Sequence, residues 1–101
     1  MGKQRPLNHT GMKMNQTTLQ KLERILAEAG YIVRYERGTF QSGYCILEQK
    51  KVVVLNKFLS MEGRINTLIE LIPVLQVNLD LLTLESQQLH HEVMKMSTLS
   101  T

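Results

Sequence analysis

The sequence has one cysteine, two prolines, no tryptophan and no long apolar run. A lone cysteine, Cys45, excludes an intramolecular disulfide and a zinc site built from several cysteines of one chain. No apolar segment approaches the roughly 20 residues that a membrane-spanning helix needs, and residues 1–14 lack the apolar stretch of a secretory signal. These absences predict a protein of the reducing cytoplasm that does not enter a membrane.

The composition predicts one packed domain. Of the 101 residues, 43% are hydrophobic and 21% are charged, which is an ordinary globular balance. Residues 1–14 have no helical or strand period and are predicted to be a disordered tail, followed by a single domain at 15–96 and a frayed C-terminus at 97–101. Met12 and Met14 directly precede the first periodic segment, so we also hypothesise that translation starts there, which the intact mass of the native protein would decide.

A first amphipathic helix is predicted from Thr18 to Ala29 by apolar residues at helical spacing. Thr17 and Gln20 match a capping box, in which each side chain satisfies a backbone N–H of the first turn. Gly30 is placed to end this helix in the left-handed conformation.

Two further helices are predicted in the second half of the chain. Ser60 is an N-cap for the second helix, which should stop or bend near Ile72 because Pro73 has no N–H to donate. Thr83 can cap a third helix. The apolar stripe of that helix is formed by Leu82, Leu89, Val93 and Met96.

Between the first two helices the period changes to two, which predicts strands. Residues 31–36 alternate between an apolar or aromatic face and a polar face, and residues 44–48 and 51–55 predict two more strands around a tight turn at 49–50. Residues 52–55 are apolar on both faces, which suits a strand covered on both sides or one at the centre of the sheet. The predicted fold is α+β in the order α-β-β-β-α-α, a three-stranded antiparallel meander with helices packed on one face.

Charge is distributed unevenly along the chain. Residues 1–14 carry a charge of +3, and the remainder holds nine basic and nine acidic residues. A neutral body argues against strong non-specific DNA binding, which needs many uncompensated phosphate contacts. The basic surplus in the middle of the chain leaves room for a local binding patch, whose candidate members are Arg34, Arg37, Lys50, Lys51, Lys57 and Arg64.

No complete catalytic or metal-binding motif is present, so the sequence predicts no enzyme, cofactor or metal. Cys45 lies inside a strand pattern and is interpreted as a small buried hydrophobe rather than a nucleophile. His90 and His91 point about 100° apart on a helix, which favours a solvated face over metal ligation. Aromatic residues near Arg34 and Arg37 could stack on single-stranded nucleic acid, although aromatics on strands more often pack in the core. These aromatics are Tyr31, Tyr35, Phe40 and Tyr44.

The segment YIVRYERGTFQSGYCILEQKKVVVLNKFLSMEGRINTLIELI resembles an uncharacterised bacterial family of small hypothetical proteins, and this resemblance implies no activity. Residues 31–75 are also similar, in their order of elements, to the ImmA/IrrE group of zinc peptidases. The residues that carry this likeness are Val54-Leu55-Asn56, Leu59-Ser60 and Arg64 through Leu68. When Thr67-Leu68 is aligned with the Thr-Leu before the His-Glu-x-x-His motif of that group, Glu70 and Val74 take the zinc positions and Leu71 the catalytic position. The resemblance therefore implies a non-catalytic relative.

Two functional hypotheses follow from these observations. The first is a non-catalytic interaction or regulatory module that binds another protein or itself through its third helix or a sheet edge. The alternative is a weak nucleic-acid binder that uses the basic patch and the basic tail.

Overall fold

The chain folds as a helix, three strands and two further helices. The computed structural model describes residues 12–37, 44–47 and 50–99, with the backbone alone at 44–46 and 97–99. The elements are α1 (Gln16–Glu28), β1 (Ile32–Glu36), β2 (Tyr44–Leu47), β3 (Val52–Asn56), α2 (Met61–Leu71) and α3 (Leu84–Leu99), with 3-10 turns at Ile72–Val74 and Leu79–Leu81. These elements form one α+β domain and follow the predicted order along the chain.

The strands form one mixed sheet in the order β1-β3-β2. β1 runs parallel to β3, with Ile32 opposite Val52 and Glu36 opposite Asn56, and β2 runs antiparallel to β3 on its other side. The predicted antiparallel meander is therefore wrong. A meander would place β2 at the centre and pair it with β1, whereas the structure inserts β3 between them.

β3 takes the central position because it is apolar on both faces. Residues 52–55 are at most 7% exposed. Val53 and Leu55 belong to the helix-covered core, whereas Val52 and Val54 lie on the opposite face and have a strand on each side. At an edge these two valines would lose one neighbour, and each Å² of apolar surface returned to water costs about 25 cal/mol.

Capping interactions determine both ends of α1. Asn15 is the N-cap, and its Oδ1 accepts a hydrogen bond from the Thr18 N–H at 2.9 Å. The predicted capping box at Thr17 and Gln20 is wrong, because asparagine is the stronger N-cap and Met14 before it packs against the core.

The C-terminus of α1 is the predicted left-handed end. Gly30 has a φ of 93°, which confirms its predicted role. The Tyr31 N–H donates to the Leu26 carbonyl at 2.8 Å and the Gly30 N–H to the Ala27 carbonyl at 3.1 Å. These two bonds form a Schellman motif, which turns the chain directly from α1 into β1.

The predicted starts of α2 and α3 are confirmed. The Ser60 hydroxyl accepts from the Gly63 N–H at 3.0 Å, and the Thr83 hydroxyl accepts from the Ser86 N–H at 3.2 Å. α2 gives way to the 3-10 turn at Ile72–Val74, where Pro73 stands. The apolar face predicted for α3 is buried at Leu82, Val93 and Met96, with Leu89 half-buried.

The helices pack against one face of the sheet and against one another. α1 supplies Leu19, Leu22, Ile25 and Leu26 to the core, and α2 supplies Ile65, Leu68 and Leu71. Glu28 at the end of α1 accepts a hydrogen bond from the Thr83 N–H at 3.0 Å, and this bond is the main reason that the pKa of Glu28 is lowered. In the described part of the chain, no helix is both long and apolar enough to cross a membrane.

Candidate functional site

The six basic residues predicted to form a patch lie in three places. Lys50 and Lys51 precede β3, whereas Lys57 follows it, and a strand of five residues holds these two ends about 20 Å apart. Arg37 follows β1 and Arg64 lies in α2, so both share the end of the sheet with Lys57. Arg34 lies within β1. The structure therefore brings together Arg37, Lys57 and Arg64 and separates them from Lys50 and Lys51.

Arg64 holds the turn between β3 and α2 together. Its Nε donates to the Leu59 carbonyl at 3.2 Å and its Nη2 to the Lys57 carbonyl at 3.0 Å. The guanidinium also lies over the Tyr35 ring, 4.5 Å from the centroid. Because three interactions hold this group against its own domain, Arg64 has a structural role at this end of the sheet.

Lys51 has a similar structural role at the other end. Its φ of 53° is left-handed, which costs a non-glycine residue roughly 1–2 kcal/mol. The ammonium donates to the Ala29 carbonyl at 3.1 Å and lies 5.0 Å from the Tyr31 ring centroid. These contacts place a cation at the C-terminus of α1, where the helix dipole favours it.

An open groove of about 930 Å³ lies beside Lys51, between Tyr31 and residues 74–78. The Tyr31 hydroxyl donates to the Gln76 carbonyl at 3.2 Å, and Lys51 already donates to Ala29. The phenol and the ammonium that line this groove are therefore both engaged with backbone carbonyls of the domain.

Phe58 is the aromatic side chain that the sequence analysis missed. It is 68% exposed in the turn after β3, with the Arg37 guanidinium 5.9 Å and the Lys57 ammonium 5.6 Å from its ring centroid. The sequence feature that could have identified Phe58 is an aromatic residue in a turn between a predicted strand and a predicted helix. By contrast, Tyr31 is buried and Tyr35 is half-buried, so neither presents a free stacking face. Phe40 and the Tyr44 side chain lie outside the described residues.

The second feature that could bind a partner is the outer edge of β1. Backbone groups of successive strand residues point to opposite edges. The Ile32 N–H donates to the Lys51 carbonyl at 2.8 Å, and the Glu36 carbonyl accepts from the Lys57 N–H at 3.0 Å. Ile32, Arg34 and Glu36 therefore face β3. The backbone groups of Val33 and Tyr35 face the outer edge, where no described residue pairs with them.

A groove of about 260 Å³ follows this edge. Its lining is mostly apolar or aromatic: Glu23, Ala27, Tyr31, Val33 and Tyr35. The Tyr35 hydroxyl donates to Glu23 and fixes one wall, and burial together with this bond raises the pKa of Tyr35. The groove thus has side-chain walls beside free backbone groups, which is the combination that strand addition uses.

The remaining candidates from the sequence do not form a site in the described residues. His90 is half-buried and His91 is exposed on α3, and burial lowers the pKa of His90. No three His, Cys, Asp or Glu side chains within the described ranges are placed to hold a metal ion. The side chain of Cys45 lies outside those ranges.

We predict that Arg64→Ala lowers the free energy of unfolding by about 1–3 kcal/mol, because it removes charged hydrogen bonds to the partly buried Leu59 carbonyl and to the exposed Lys57 carbonyl. Arg24→Ala is the matched control: this arginine is 57% exposed in an ion pair with Glu85, and its loss should cost less than about 1 kcal/mol. Urea denaturation of both variants measures the difference. Equal stability of the two variants would contradict the structural role of Arg64.

No protein-family model matches this chain, and no curated protein or solved structure does so either. The likeness of residues 31–75 to the ImmA/IrrE group stays a prediction from sequence. In the structure, Glu70 and Val74 are exposed, whereas Leu71 is fully buried in the core. The function is therefore argued from the outer edge of β1 and from the surroundings of Phe58.

Proposed function

We propose that this protein is a non-catalytic interaction module that binds an extended protein segment along the outer edge of β1. The observation that carries the proposal is that β3 is the only strand paired with β1 among the described residues, which leaves the backbone groups of Val33 and Tyr35 directed outward. An added strand would gain main-chain hydrogen bonds there, and its inward-facing side chains would enter the adjacent groove.

The edge is a better candidate than the third helix. Val93 and Met96 of α3 are already buried, and Leu82 before the helix packs in the same core. α3 therefore uses its apolar stripe to stabilise the domain, whereas β1 keeps one edge open to a partner. We also propose a cytoplasmic location, because a single cysteine suits a reducing compartment.

We predict that a partner strand slows amide hydrogen exchange at Val33 and Tyr35. The isotope-labelled full chain at about 10 µM would be followed by NMR, alone and in an extract of the source cells. Protection should increase at least about ten-fold at these two amides, because their exchange then requires the added strand to open. Arg34 and Glu36 are internal controls, since their amides face β3. Unchanged exchange at Val33 and Tyr35, both in the extract and in the chain alone when its concentration is raised to about 1 mM, would contradict the proposal.

A second candidate function is weak binding of single-stranded nucleic acid at Phe58. An exposed aromatic ring flanked by Arg37 and Lys57 combines a stacking platform with phosphate-binding cations. Arg64 keeps its positive charge, but its Nε and Nη2 donate to two backbone carbonyls, so fewer of its N–H groups are left for a phosphate. The cluster is small, so we expect binding that weakens steeply with salt.

We predict that Phe58→Ala weakens binding of a fluorescent oligothymidine about ten-fold, since stacking of one base contributes roughly 1–3 kcal/mol. Leu84→Ala is the matched control, because it removes an apolar side chain that is 77% exposed at the first residue of α3. Fluorescence anisotropy at low salt would compare them. Equal affinity of the wild type and Phe58→Ala would remove the basis for this function.

A further inference from the structure

We infer that the strand that adds to β1 is β1 of a second copy, paired antiparallel around a two-fold axis at Tyr35. This inference rests on the proposed function and names its partner. The resulting sheet would have six strands, with the two copies of β1 at its centre. Closed two-fold dimers are the commonest arrangement of soluble oligomers, and the same surface then serves both copies.

The backbone of β1 permits this pairing. With the axis at Tyr35, each Tyr35 lies opposite its own copy, and Val33 lies opposite Arg37. The backbone groups of Val33 and Tyr35 face the outer edge, so the two copies of Tyr35 can exchange two N–H···O=C bonds, and extending β1 by one residue in the dimer would let Val33 pair with Arg37 in the same way. Arg34 and Glu36 form the non-hydrogen-bonded pairs, in which the Cα atoms are closest, about 4.5 Å apart.

The charges on the outer face favour the same register. Arg34 of one copy lies opposite Glu36 of the other, and the symmetry axis repeats this contact. Within one chain the two side chains already form an ion pair, with 2.6 Å between Arg34 Nη2 and Glu36 Oε2, and they are 58% and 43% exposed. They are therefore free to turn toward a second copy, where four alternating charges would meet.

Neighbouring registers place like charges together. A shift of two residues keeps the same faces aligned, whereas a shift of one would put core-facing residues on the solvent side. The two-residue shifts centre the axis on Arg34 or on Glu36, so that two arginines or two glutamates lie directly opposite. Like charges in directly opposed positions are destabilising.

The size of the interface predicts weak association. One strand of five residues in each copy buries less than the roughly 1,600 Å² of a standard interface, although the groove beside Val33 adds side-chain contact. We therefore expect a dimer that forms between about 10 µM and about 1 mM and that tests of dilute protein would miss.

Reciprocal charge reversal in the full chain tests the inference. Arg34→Glu makes this face of β1 doubly acidic and Glu36→Arg makes it doubly basic, so each variant meets like charges in a second copy of itself. We expect each variant to dimerise at least about ten-fold more weakly than the wild type, measured by sedimentation equilibrium. An equimolar mixture of the two should form a heterodimer, because every cross-strand contact then joins opposite charges. The double variant R34E/E36R should return to within about three-fold of the wild type.

Formation of the heterodimer on mixing shows that each variant is folded, because a misfolded chain would not dimerise with either partner. Weak dimerisation of a variant alone then reports charge repulsion between its two copies. Arg24→Glu is the control, since it reverses an exposed charge on α1 and should leave the dimer unchanged. A wild type that stays monomeric at about 1 mM, single variants that dimerise as well as the wild type, or a mixture without heterodimer would each overturn the inference. Protection of Val33 and Tyr35 in cell extract would survive that result, so failure of the inference is distinguishable from failure of the proposed function.

Discussion

The burial of residues 52–55 determines the order of the strands and, through it, the arrangement of the sheet. A strand that is apolar on both faces needs a neighbour on each side, and β2 supplies one of them through the short connection that precedes β3. β1 therefore occupies the other side of β3 and runs parallel to it. As a consequence, β1 lies at an edge of the sheet that the described residues form, and half of its backbone groups point away from that sheet.

The exposed edge of β1 has features that distinguish it from an unused edge. The chain leaves α1 through the left-handed Gly30, which places the end of α1 beside the start of β1 and forms the groove along Val33 and Tyr35. Arg34 and Glu36 on the outer face carry opposite charges at a spacing that matches an antiparallel second copy. Backbone geometry, groove and charge thus support the same kind of partner, an extended strand.

Local signals in the sequence predicted the helices well and the sheet poorly. The residues that begin or end the helices act within one turn of their own positions, so their effects can be predicted from neighbouring residues. They are Ser60, Thr83, Gly30 and Pro73. Strand order depends on contacts between distant segments. Residues 52–55 were interpreted either as a strand covered on both sides or as one at the centre of the sheet; the structure has the central strand, which is incompatible with the predicted meander.

The basic patch was predicted poorly for the same reason, because its members come from distant segments of the chain. The sequence shows only which residues are charged and where they stand along the chain. In the structure, Lys51 and Lys57 lie at opposite ends of β3, and the side chains of Lys51 and Arg64 donate to backbone carbonyls. Phe58 became a candidate only when its exposure and its two cationic neighbours were known. Arg37, Lys57 and Arg64 therefore share one end of the sheet, which is a smaller patch than the six residues that the sequence predicted.

Interstrand backbone contacts measured by NMR test the parallel pairing of β1 with β3. We expect nuclear Overhauser contacts between Ile32 and Val52 and between Tyr35 and Leu55, and a scalar coupling across the hydrogen bond from the Ile32 N–H to the Lys51 carbonyl. Contacts joining β1 directly to β2, with β3 at the edge of the sheet, would contradict it.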